Sequence, residues 1–187
     1  MEFLVDLWLP ILVSAVLVFV ASSVIHMLVQ WHKQDYAPLP GEDAVADALR
    51  AAGAGPGNYM FPRCESMKQL QDPAVAARFE RGPIGILTLL PPGPPAMGKA
   101  LGQWFAFCLF VGVFTAYVAS LALGPGAEYL KVFQLVGATA FLGYAVSEVT
   151  ESIWKGVAWS TTAKYLFDGL IYAVVTAGTF GWLWPAA

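Results

Sequence analysis

Long apolar runs alternate with polar segments along the chain, and the first run is the clearest. Residues 7–31 (LWLPILVSAVLVFVASSVIHMLVQW) contain His26 as their only ionisable side chain. A helix needs about 20 apolar residues to cross a hydrocarbon layer about 30 Å thick, so this run predicts a membrane-spanning helix. Pro10 lies in the first turn, where it breaks no intrahelical hydrogen bond. Trp8 and Trp31 occupy the two ends, where interfacial tryptophans are common.

Three further apolar runs predict three more spans, at about residues 101–123, 130–154 and 162–184. The earliest of these has no charged residue. The next is uncharged only over residues 132–147, and we expect its helix to continue past Glu148. The last has Lys164 and Asp168 in its first turns. The pattern therefore predicts an all-α integral membrane protein built as a bundle of four transmembrane helices.

The segment between the first two spans has a different character, because acids, bases, glycines and prolines are mixed along it. We expect a cytoplasmic loop of about 65 residues that forms a small folded cap. One short helix is predicted after Pro40-Gly41, ending at Gly53, and a second with Asp72 as N-cap and Pro73 in its first turn. The YMF and GILTLL segments are candidates for a short strand pair. The predicted division is a span at 1–31, the loop at 32–100 and a three-helix region at 101–187.

Composition supports the same class of protein. The chain is 58% hydrophobic, and only 12% of its residues are charged, about half the share that is usual in soluble domains. A net charge of −3 gives no basic surface for nucleic acid. Cys64 and Cys108 have no partner spacing, which disfavours a disulfide or a zinc knuckle. The expected partners are the lipid bilayer and other membrane subunits, or further copies of this chain as a homo-oligomer.

The basic residues predict the orientation. Nine of the ten lysines and arginines lie in the loop at 32–100 or between the third and fourth spans, and only Lys131 lies on the other side. Lysine and arginine are retained on the cytoplasmic side of a membrane, so both of these segments are expected in the cytoplasm and both termini outside. The acidic N-terminus lacks the basic start of a signal peptide, which indicates a retained first span. We expect a multi-pass protein of the bacterial inner membrane.

Small residues recur at four-residue intervals along three spans. Such series form grooves that let membrane helices approach closely. The predicted packing residues are Gly112, Ala116 and Ser120 in the second span, Gly143 and Ser147 in the third, and Gly169, Ala173, Ala177 and Gly181 in the fourth.

Four ionisable residues are candidates for a polar cluster at the cytoplasmic mouth of the bundle: His26, Glu148, Glu151 and Asp168. Ionisable groups within a span are costly and mark functional positions. Such a cluster could bind a divalent cation, pass protons or dock a partner protein. Alternatively, these groups cap helix ends and pair locally, Glu151 with Lys155 and Asp168 with Lys164. The E-x-x-E spacing matches no specific metal site, and no residue is assigned as a metal ligand, cofactor ligand or catalytic group.

The function that we expect from the sequence is non-enzymatic. The small-residue grooves and the apolar loop segment GPIGILTLLPPGPPAMG are typical of a structural, accessory or assembly subunit, or of a homo-oligomeric membrane component. The alternative is a small ion or proton conductor, or a metal transporter, that uses the cluster at the cytoplasmic mouth. An enzyme embedded in the membrane has no supporting constellation beyond the same four residues.

Overall fold

The computed structural model describes residues 2–187, which form a mostly helical protein with a small two-stranded sheet. Their contacts divide the chain into two units. The larger unit is built from residues 2–37 and 96–187, and the smaller unit from residues 38–95. The long apolar helices all belong to the larger unit.

The main elements follow in chain order. They are α1 (Trp8–Val29), α2 (Glu42–Ala51), β1 (Gly57–Phe61), α3 (Pro73–Arg81), β2 (Gly85–Leu89), α4 (Met97–Ala122), α5 (Tyr129–Lys155) and α6 (Trp159–Trp182). A short helix at Glu2–Asp6 precedes α1, and a 3-10 turn at Trp31–Gln34 follows it.

Three helices are long and apolar enough to cross a membrane. These are α1, α4 and α5, with 22, 26 and 27 residues and mean hydropathies of 2.5, 2.1 and 1.4 over their most apolar windows. The ends differ from the predicted ones by a few residues, since α1 stops at Val29 and α4 already begins at Met97. Helix α6 has 24 residues, but its composition places it outside this set.

Helices α1, α4, α5 and α6 pack together in the larger unit, and their buried side chains form two apolar clusters. One cluster includes Val18 and Tyr172, and the other includes Val136 and Phe180. The close packing of α5 against α6 depends on glycine. A Cβ atom on Gly169 would lie 2.5 Å from the Cβ of Ala145, so the two backbones meet there with no room for a side chain.

The other predicted packing residues differ in their surroundings. Gly181 faces the ring of Tyr129, Gly143 faces Val111, and Gly112 faces Ile11. Three alanines are fully or almost fully buried, namely Ala116, Ala173 and Ala177. The two serines are not in the core, because Ser120 is half-buried and Ser147 is exposed.

Helix α1 changes its winding before it ends. Residues Ile25–Val29 form a π-helical turn, in which the Gln30 amide donates to the Ile25 carbonyl at 2.9 Å. Gln30 then adopts a left-handed conformation with φ of 54°, which is uncommon for a residue other than glycine. This conformation ends α1 and turns the chain into the 3-10 turn. A second π-helical turn lies within α5 at Leu142–Val146. Such turns occur often at functional sites.

The smaller unit contains the two short helices and the strand pair that the sequence predicted. Strands β1 and β2 are antiparallel, with Tyr59 opposite Leu87. The Asp72 side chain accepts a hydrogen bond from the Ala74 amide at 2.8 Å, and Pro73 occupies the first turn of α3. Asp72 is therefore the N-cap of α3, as its position before a proline predicted.

Candidate functional site

His32 lies between two buried carboxylates in the larger unit. Its Nδ1 donates to Oδ2 of Asp35 at 2.6 Å, and its Nε2 donates to Oδ2 of Asp168 on α6 at 2.8 Å. The side chains of Asp35 and Asp168 are only 3% and 2% exposed, and that of His32 is 11% exposed. Because carboxylates only accept hydrogen bonds, this geometry places a proton on each nitrogen of His32 when both aspartates are ionised.

Lys164 completes the charge balance around Asp35. Its ammonium group donates to Asp35 Oδ1 and to the Trp31 carbonyl, the latter at 2.8 Å. Burial by itself would raise the pKa of Asp35, but the hydrogen bonds from Lys164 and His32 and their positive charges lower it below its ordinary value. Asp35 is therefore held as a carboxylate. The Asp35 carboxylate is thus paired with the Lys164 ammonium group, which satisfies the requirement that buried charges be paired.

Two aromatic side chains lie beside the His32 ring. The His26 ring is stacked near it with centroids 5.0 Å apart, and the Tyr165 ring with centroids 4.5 Å apart. His26 is exposed, and its Nδ1 lies 3.0 Å from the Ser22 carbonyl oxygen. We refer to His26, His32, Asp35, Lys164 and Asp168 as the histidine–aspartate cluster.

The cluster is not fully satisfied. Oδ1 of Asp168 is buried and has no hydrogen-bond partner among residues 2–187. His26, His32 and Asp168 each offer a ligand atom, and these atoms all lie within 4.8 Å of one another. The cluster thus holds a free acceptor next to two imidazoles, which is an arrangement that can receive a proton or a metal ion.

Two of the four residues proposed from the sequence belong to this cluster, and two lie elsewhere. The structure brings His26 and Asp168 together around His32. Glu151 pairs with Lys155 at 2.7 Å on the surface, as the local alternative expected. Glu148 is half-buried and has no ion-pair partner within the described residues.

The expected local pair between Lys164 and Asp168 does not occur in the described part of the chain. Lys164 pairs instead with Asp35, which comes from the turn after α1. That turn supplies the two residues that sequence reasoning missed, His32 and Asp35. The available signal was their i,i+3 spacing directly after the first span, which suits a side-chain contact across one turn.

Comparison of the chain with protein-family models, with curated proteins and with solved structures finds no match. The case for a function therefore rests on the chemistry of the cluster.

Proposed function

We propose that this chain is a four-span helical membrane protein that takes up a small cation at the histidine–aspartate cluster. Three helices have the length and composition of spans. Helix α6 is the fourth span in this proposal, because Gly169, Ala173 and Phe180 bury one of its faces against the other three helices. If α1, α4 and α5 cross the bilayer, a helix packed against them in this way crosses it as well. The proposal places the loop at 32–100 in the cytoplasm of a bacterium and the chain in its inner membrane, with both termini outside, following the distribution of basic residues.

One observation carries the functional part of the proposal, namely that a single imidazole is held between two buried carboxylates at the end of the bundle. Bringing four ionisable groups together in a poorly solvated place costs free energy even when their charged forms are paired. A helix end could be capped with neutral groups at a lower cost. We infer that the cluster is present because its groups can bind and release a proton or a metal ion.

The interior of the bundle offers a continuation of the cluster. Asp168 is followed on the same face of α6 by Tyr172 and Thr176, at intervals of four residues, and both are buried. Thr115 on α4 is also buried. Hydroxyl groups both donate and accept hydrogen bonds, so this row could relay a cation or a proton inward from Asp168.

The test is a flux assay on the whole chain reconstituted in liposomes, with an entrapped pH dye for protons and an entrapped zinc dye for Zn²⁺. We expect flux of at least one of these cations in the wild type and a large loss in Asp168→Asn. The matched control is Asp43→Asn, because Asp43 is exposed on α2, and this variant should behave like the wild type. Flux equal to that of empty liposomes, or equal flux in Asp168→Asn and wild type, would refute cation passage.

A second candidate function, as an accessory or assembly subunit, is favoured by the surface of the smaller unit. Met60, Ile84 and Leu90, which lie in the strand pair or directly next to it, are 56%, 65% and 78% exposed, and large exposed apolar residues supply contact surfaces. The partner in this case would be another membrane subunit or a second copy of this chain. Native mass spectrometry of the protein extracted in mild detergent should then show a stoichiometric complex that Leu90→Asp releases. A complex that persists in Leu90→Asp would contradict this use of the surface.

A further inference from the structure

We propose that His26, His32 and Asp168 bind one divalent ion of a first-row transition metal. The inference rests on the proposed function and names the cation that the cluster takes. The sequence suggested a divalent cation only as one possible ligand of a cluster with Glu148 and Glu151, and the structure brings His32 to His26 and Asp168 instead.

Both histidines use the same ring nitrogen, Nδ1, to contact an oxygen atom of the protein. The Nδ1 atom of His26 faces the Ser22 carbonyl oxygen at 3.0 Å, and the Nδ1 atom of His32 donates to Asp35. Metal-binding histidines usually donate their second ring nitrogen to a carbonyl or carboxylate oxygen, which fixes the tautomer and orients the ring. The Nε2 atoms are therefore the ones that would bind a metal, and that of His32 already lies against the third ligand, Asp168.

Asp168 supplies the third ligand. Its Oδ1 is buried without a partner among the described residues, and a buried acceptor without a donor is uncommon in folded proteins. A metal ion would satisfy this oxygen, whereas a local helix-capping role would not. The unpartnered oxygen is therefore an observation, independent of the two imidazoles, that points to a ligand at this site.

The distances are close to those of a metal site before it closes. Bonds of about 2.0–2.1 Å at tetrahedral angles put ligand atoms about 3.4 Å apart. The three ligand atoms lie within 4.8 Å of one another, and His32 Nε2 is 2.8 Å from Asp168 Oδ2. No distance between the ligand atoms therefore has to shorten by more than about 1.4 Å, the difference between 4.8 and about 3.4. The exposed His26 ring is the side chain with room to make this movement.

Metal binding exchanges one cation for another. The metal forms bonds to Nε2 of His32 and to Asp168, and the proton that Nε2 donates in the described state leaves to water. Lys164 and Asp35 keep their contacts and hold the His32 ring from its other nitrogen. Lys164 and Asp35 are positioning residues in this scheme.

The ligand set determines the class of metal. Two imidazoles and one carboxylate suit Zn²⁺, Fe²⁺, Co²⁺ or Ni²⁺, whereas Ca²⁺ and Mg²⁺ prefer sites made of oxygen atoms. Three protein ligands also leave at least one coordination position for water or for a transferred ligand. An ion held by three residues at the mouth of a bundle can be released more easily than one in a closed four-ligand site.

The probe is Co²⁺ added to the full chain, purified in detergent without a polyhistidine tag and stripped with a chelator that is then removed. We expect one Co²⁺ per chain and visible absorption bands of a nitrogen- and oxygen-bound ion. His26→Gln and Asp168→Asn should each weaken binding by about tenfold or more. Because His26 is exposed, its substitution leaves the fold intact and keeps the test valid if Asp168→Asn is unstable. The matched control, Glu151→Gln, removes an exposed carboxylate outside the ligand set and should bind like the wild type.

The outcomes separate this inference from the proposed function. Absence of bound Co²⁺, or equal binding in all four proteins, would overturn the metal site. Proton flux without Co²⁺ binding would also overturn the metal site while leaving cation uptake standing. Co²⁺ binding with the expected variant pattern, but without flux of any tested cation, would support the site and refute transport.

Discussion

The contact of α5 with α6 at Gly169 gives a quantitative prediction about stability. In Gly169→Ala the new Cβ would lie 2.5 Å from the Cβ of Ala145, 3.1 Å from its Cα and 3.3 Å from its amide nitrogen. Carbon atoms in ordinary contact are about 3.5–4.0 Å apart, so the helices have to separate by about 1 Å. Overpacking of this kind typically costs about 1–3 kcal/mol. Alanine recovers up to about 1 kcal/mol through its better helix propensity.

The control for this prediction is Gly102→Ala. Gly102 lies within α4, and nothing comes within 4 Å of the place where its Cβ would be. This variant should gain the helix propensity without the overlap. The free energies of unfolding of the two variants, measured by titration with a denaturing detergent and followed by tryptophan fluorescence, should therefore differ by about 1–3 kcal/mol.

A double-mutant cycle tests the cause of the difference. Ala145→Gly removes the nearest atom, so it should restore part of the stability of Gly169→Ala, although the Ala145 Cα at 3.1 Å stays close. The reasoning fails if Gly169→Ala is as stable as Gly102→Ala, or if Ala145→Gly destabilises both backgrounds equally.

Two further predictions concern charge and topology. Lys164→Met leaves the buried Asp35 carboxylate without its ammonium partner, so we expect a loss of roughly 1–3 kcal/mol in the free energy of unfolding. The control, Lys155→Met, breaks an exposed pair and should cost less than about 0.5 kcal/mol. Equal losses in the same detergent titration would contradict the contrast between the two pairs. If the loop at 32–100 is cytoplasmic, a membrane-impermeant thiol reagent should leave Cys64 unlabelled in intact cells and label it after lysis. Labelling in intact cells would reverse the orientation, and Cys108, which is buried, provides the unreactive reference.

The parts of the fold that could be predicted from the sequence are those governed by local patterns. An uninterrupted apolar run as long as that of α1 favours a helix in a bilayer, because a helix satisfies all the backbone groups within the segment itself. The N-cap of α3 could also be predicted, because Asp72 followed by Pro73 favours a helix start whatever surrounds it. The pairing of β1 with β2 could be proposed from two apolar segments, but its register depends on contacts between residues far apart in the chain.

The site was only partly predictable, because its geometry depends on a change of backbone direction. Nothing in the sequence around Gln30 indicates a left-handed conformation. This conformation nevertheless turns the chain so that His32 and Asp35 contact residues of α6. The π-helical turn at Ile25–Val29 likewise alters the direction of His26 relative to an ideal α-helix. Glu148 and Glu151 were grouped with the site from their place at the end of the third predicted span, which does not determine which residues a side chain contacts.

Because Asp168 and Gly169 are adjacent in the chain, we expect substitutions in the polar site and in the helix contact to have similar effects. The residue with the unpartnered carboxylate oxygen is directly followed by a residue at which α5 and α6 are in tight contact. If the chain takes up cations as proposed, a random-mutagenesis screen for loss of uptake should therefore recover substitutions at Gly169 and Ala145 together with those at the histidines. Suppressors of such alleles are expected on the facing helix, where a smaller side chain restores the spacing, rather than among the polar residues.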